Sequence, residues 1–145
     1  MLGNPVSYTD SLGLQTTVII NNNFPGHVGV HVGSGSNQML YDPGGSYPGT
    51  EGTGNTASGA AADLGSYLNY QRLDGPKVET HRFNTSKAQE QQIMDNIDSR
   101  GSCRPLYCAV CSSDVLRGIG PFRDLGRHYT PGGLGSTLRG LPGRM

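Results

Sequence analysis

The chain has 145 residues, of which 23 are Gly, 34% are hydrophobic and none is Trp. That length suits one core rather than two, and the composition points to a loop-rich domain instead of a tight helical bundle. Eleven Lys and Arg balance eleven Asp and Glu, so strong nucleic-acid binding is not expected. The arginines of the C-terminal third (Arg117, Arg123, Arg127, Arg139 and Arg144) read as a solvated surface. No run of about 18 apolar residues and no charged-then-apolar leader occurs, so neither a membrane span nor a secretion signal of its own is expected.

In chain order, residues 1–13 mix Gly, Pro, Asn and Ser without period and read as a leader or linker. Gln15–Ile20 is β-branched and predicts a buried strand, closed by a turn at Asn21–Asn23. From Phe24 to Gly33 the residues alternate, so Val28, Val30 and Val32 face one side and His27, Gly29 and His31 the other. After a turn at Ser34–Asn37, Gln38–Asp42 returns as the partner strand of a hairpin. Pro43–Thr56 is too rich in Gly, Pro and Ser for core and predicts a long surface loop. Ala57–Gln71, with Leu64, Tyr67, Leu68 and Gln71 at helical spacing, predicts a helix interrupted by Gly59 and Gly65.

Lys77–Phe83 alternates as a further strand. Asn84-Thr85-Ser86 followed by Gln89 and Glu90 is an N-cap signal, and Ile93, Met94 and Ile97 give an apolar stripe that ends at Gly101. Leu106–Val110 reads as extended. Cys111–Ile119 reads as a short helix with Ser112, Ser113 and Asp114 in its first turn, ended by Gly120–Pro121. His128–Leu138 predicts a loop and a last short helix, and Gly140–Met145 a loose tail.

The three cysteines fall within nine positions, at 103, 108 and 111. This suits neither a disulfide framework nor a complete zinc site, and favours a reactive or buried thiol. Cys111 stands where a helix is expected to begin, and the unpaired N–H groups and positive end there favour a nucleophilic thiol. His27 can serve as its base, with Asp42 or Tyr41 on the next strand orienting the ring. His31 and Ser112 are supporting candidates. Cys108 reads as a buried structural thiol and Cys103 as incidental. Cys108 and Cys111 also have CxxC spacing, to which Cys103 or His128 can add a ligand, but a second pair is missing, so no metal and no cofactor are expected.

Asn4-Pro5-Val6-Ser7-Tyr8-Thr9-Asp10-Ser11-Leu12-Gly13-Leu14 resembles the NPVxYxDPxGL junction that ends the core of Rhs-repeat polymorphic toxins, with Ser11 in place of Pro. The resemblance implies a C-terminal toxin released from an encapsulating Rhs shell, delivered into a rival bacterium and paired with a cognate immunity protein. A second resemblance is to the permuted NlpC/P60-like branch of the papain-like cysteine hydrolases, in which a GHxGIYVG strand precedes an NC-x-x-x-V-x-x-x-L helix. Gly26–Gly33 matches the first element, with His31 in place of an aromatic. Cys111–Gly120 matches the second, with Val110 in place of Asn, and Thr130–Leu134 is similar to a following TPxxL segment.

Together these imply an α+β papain-like domain over residues 14–141, a small antiparallel sheet with helices packed on one side. Residues 1–13 would be the junction remnant and 142–145 a tail. They also imply Cys111 as nucleophile, His27 as base and a polar third residue, Asp42 before Tyr41. The implied chemistry is attack on an amide, peptide or ester carbonyl of a protein, peptide or lipid substrate through a thioester. Hydrolase, transferase and deamidase share those steps. The alternatives are a non-enzymatic binding or pore-promoting module and, more distantly, a zinc-dependent nuclease or deaminase.

Overall fold

The computed structural model describes residues 14–50 and 54–145, so the junction-like segment 1–13 lies outside the described residues. Five strands form one antiparallel open sheet: β1 (Gln15–Asn21), β2 (His27–Val32), β3 (Met39–Tyr41), β4 (Thr56–Ser58) and β5 (Val78–Asn84). Their order is β4-β3-β2-β1-β5. Four α-helices join them: α1 (Leu64–Gln71), α2 (Lys87–Arg100), α3 (Cys108–Leu116) and α4 (Pro131–Arg139). The chain is thus an α+β domain.

The period-2 pattern of the first strands sets the layers. Val18, Ile20, Val28, Val30 and Val32 form one apolar face with Phe83, and α2, α3 and α4 cover it through Ile93, Ile97, Val115, Leu116, Leu134 and Leu138. Burying each such side chain fully contributes about 1.5–3 kcal/mol. Ile19, Leu40 and Ala57 form the opposite face, which α1 covers through Tyr67 with Leu64 and Leu68. The expected placement of every helix on one side is therefore corrected: a second apolar stripe, offset by one residue along β1 and β3, needs its own cover.

Two further expectations shift. The helix expected over Ala57–Gln71 forms only from Leu64: Thr56–Ser58 is β4, which takes the last residue of the expected loop and pairs Ala57 with Leu40, and α1 starts where Asp63 caps it by accepting the Ser66 N–H at 2.9 Å. The tail is not loose at its end, because Met145 N–H donates to the Arg82 carbonyl at 2.8 Å and Arg144 bridges to Phe83 on the edge strand. The predicted α2 cap forms as a full capping box, with the Gln89 N–H bonded to Ser86 Oγ and the Ser86 N–H to Gln89 Oε1.

Candidate active site

β2 and β3 run antiparallel with Val30 opposite Tyr41. One more step along that register sets Gly29 opposite Asp42, so His27, Gly29 and Asp42 share one face at one end of the sheet. There His27 Nε2 meets Asp42 Oδ1 at 2.6 Å. The same oxygen accepts the Tyr67 hydroxyl at 2.6 Å, while Oδ2 accepts the Tyr47 N–H at 3.0 Å. Burial pushes the Asp42 carboxyl up, but the bonds from His27, Tyr67 and Tyr47 outweigh it and hold its pKa below the ordinary value. Burial and the Asp42 charge push Tyr67 well above its ordinary pKa, which keeps the hydroxyl a donor.

Two close approaches allow this arrangement. A Cβ on Gly29 would collide with the Tyr67 hydroxyl, and one on Gly45 with the Asp42 carboxylate. Glycine at both positions is therefore a steric requirement of the site.

The thiol at the site is Cys108. It begins α3, and together with His27 and Asp42 it lines a cleft of about 540 Å³ whose walls include Gln71, Leu73, Pro105 and Leu106. Cys108 and His27 line the same cleft, and the thiol is close enough to the ring to act on its ionisation. Burial opposes the charged ring, but the hydrogen bonds and charges of Asp42 and Cys108 prevail and raise its pKa from 6.5 to about 9. The Tyr107 carbonyl takes the Cys111 N–H at 3.0 Å, so the N–H groups of Cys108, Ala109 and Val110 in the first turn have no intrahelical acceptor.

The structure brings His27 and Asp42 together as expected, but not with Cys111. That sulfur is bonded to Cys103, with Cα atoms 6.5 Å apart, and Cys108 is the free cysteine. The extended reading of residues 106–110 is likewise corrected: Leu106 at φ +74° follows Pro105, and the helix begins two residues on. Ser112, expected in the first turn, lies mid-helix, its Oγ buried and without a partner among the described residues.

Tyr41 points to the other face and donates to the Gly101 carbonyl at 2.9 Å, and burial raises its pKa to about 12. His31 pairs through Nε2 with Gln38 Oε1 at 2.8 Å, away from the cleft. Burial lowers the His31 pKa. His128 bonds Thr137 and the Gly126 carbonyl. Among the described residues no three His, Cys, Asp or Glu cluster closely enough to hold a metal ion, and no helix is long and apolar enough to cross a membrane.

Residue-level reading missed Cys108, Tyr67 and Gln71. The signal for the last two was present: they lie four apart on α1, both buried, on the face turned to the sheet. Comparison of the chain with protein families, with characterised proteins and with solved structures finds no match.

Proposed function

We propose that the domain is a cysteine hydrolase or acyl-transfer enzyme with Cys108 as nucleophile, His27 as base and Asp42 as the residue that orients the ring. The observation that carries this reading is the His27 imidazole bonded to the Asp42 carboxylate at 2.6 Å in one open cleft that Cys108 also lines. A nucleophile, a base and a group fixing the base's tautomer are the three parts that thiol catalysis needs. With Nε2 committed to Asp42, the other ring nitrogen is left to take the thiol proton.

In the mechanism, the thiol proton resides on the His27 ring, whose pKa is raised to about 9, and Cys108 Sγ attacks a carbonyl carbon. The carbonyl electron pair moves to oxygen, and the free N–H groups at the start of α3 stabilise that charge. Collapse expels the leaving group with the proton from His27 and leaves a thioester. Water hydrolyses it, or an amine or alcohol intercepts it.

The strand-then-helix order of His27 and Cys108 supports a papain-like, permuted NlpC/P60-like architecture, with the cysteine of the motif moved from residue 111 to 108. The junction-like residues 4–14 support the wider reading: a toxin delivered from an Rhs shell into a target bacterium and neutralised by an immunity protein. Its substrate would be an amide, peptide or ester of that cell.

Expression of the domain in bacteria tests the reading. Cys108→Ala and His27→Ala should abolish toxicity while keeping the fold, and Cys111→Ser should leave toxicity substantially intact. Full toxicity of folded Cys108→Ala would favour the non-enzymatic alternative.

A further inference from the structure

The cleft holds a polar group that the proposed triad leaves unused. Gln71 ends α1, is 4% exposed and lines the cleft with His27, Asp42 and Cys108. Which end of its amide faces the cleft follows from a chain of hydrogen bonds that starts at a backbone group. The Asn23 backbone N–H can only donate, and it meets the Asn21 side chain at 3.0 Å, so the atom there is Oδ1. Asn21 Nδ2 therefore faces the other way, donating to Asp74 Oδ2 at 2.9 Å and to Gln71 at 2.8 Å. Asp74 accepts only, which agrees with that orientation.

Gln71 must then present Oε1 to Asn21, and its Nε2 is turned away from that network. Nε2 donates to no described residue. Asn21 is itself 1% exposed and pairs across the sheet with His27, so the amide is anchored to β1, directly beside the strand that carries the base. The result is an N–H donor whose amide is fixed in advance, without a partner among the described residues, on a residue that lines the cleft with the thiol.

We propose that Gln71 Nε2 is a catalytic hydrogen-bond donor to the substrate's carbonyl oxygen, joining the α3 N–H groups in stabilising the oxyanion. This rests on Cys108 being the nucleophile. A donor held by a buried network needs no reorganisation as charge develops, which is the condition under which such groups accelerate acyl transfer. It also gives the substrate a defined chemistry at this point: a carbonyl whose oxygen lies between α1 and the start of α3.

Two reagents that react with the same sulfur separate this role from a structural one. With p-nitrophenyl acetate, Cys108 Sγ bonds to the carbonyl carbon, the electron pair passes through the carbonyl oxygen, and p-nitrophenolate leaves as His27 holds the thiol proton. With iodoacetamide, Sγ displaces iodide from a saturated carbon, and no charge develops on an oxygen. In the disulfide-intact domain, Gln71→Ala and the shape-keeping Gln71→Met should slow acylation ~100-fold while alkylation stays within about twofold of the parent rate. Acylation at the parent rate in both variants would overturn the donor role, and so would acylation and alkylation falling together. Absence of Cys108 acylation in the parent would instead overturn the nucleophile assignment itself, and the donor with it.

Discussion

One carboxylate oxygen, Asp42 Oδ1, receives both the His27 ring and the Tyr67 hydroxyl at 2.6 Å. Hydrogen bonds to an ionised acceptor are stronger than neutral ones, and a buried pair loses little to solvent screening. Here the two partners agree in direction: the His27 pKa is raised to about 9 and that of Asp42 is lowered. The charged ring therefore stabilises the folded state fully below its unfolded value of 6.5, and that contribution is lost as pH rises through about 9. Asp42 contributes above its unfolded value of 3.8 and loses that contribution as pH falls below it.

The urea midpoint should therefore hold between these limits and decline from pH 6.5 towards 9, with a smaller alkaline decline in Asp42→Asn. A parent profile flat across that window would contradict the pairing. His27 and Asp42 were legible in the sequence because alternation alone places them on one face of a hairpin. Helical spacing puts Tyr67 on the apolar face of its helix, but its hydroxyl's bond to Asp42 was not legible, since it passes over Gly29, a contact between layers that no local period encodes.

α2 and α3 show why one helix start can be read and another misread. Ser86 and Gln89 spell a capping box in side chains, so the start of α2 is written locally. α3 begins at Cys108, and its N-cap residue Tyr107 makes no side-chain capping bond. Its start depends on Pro105, the positive φ of Leu106 and the Cys103–Cys111 disulfide, which ties the preceding loop to the helix. Ser113 and Asp114 imitate a first turn but are used otherwise. Ser113 Oγ donates to the Ala109 carbonyl one turn back and accepts the His128 N–H. Asp114 gathers Arg100, Arg117 and Arg127.

The disulfide closes a short loop with a sequence separation of 8. Replacing both Cys103 and Cys111 by Ser should lower unfolding free energy by about 2 kcal/mol, read from denaturant titration. Cys108 should stay alkylable in that variant. Unchanged stability would mean that the loop is held by its other contacts.

At the scale of the molecule, the proposed site forms where distant segments meet at one end of the sheet: the start of β2, the residue after β3, the end of α1 and the start of α3. The strands and most helices could be read from period and caps, and with them the α+β class. The side of the sheet that α1 covers could not, since spacing within a helix does not say which face it meets, and β4 could not, because a three-residue strand carries too little pattern to stand out from a loop. The choice among three closely spaced cysteines was likewise a tertiary matter, decided by which two sulfurs bond and which one faces His27.

The most direct test is peptide mapping of the native, unreduced domain after brief iodoacetamide treatment. The account predicts a single fast label on Cys108, slowed strongly in His27→Ala, with Cys103 and Cys111 recovered as a disulfide. A label on Cys111, or a Cys108 label whose rate is indifferent to His27, would contradict it.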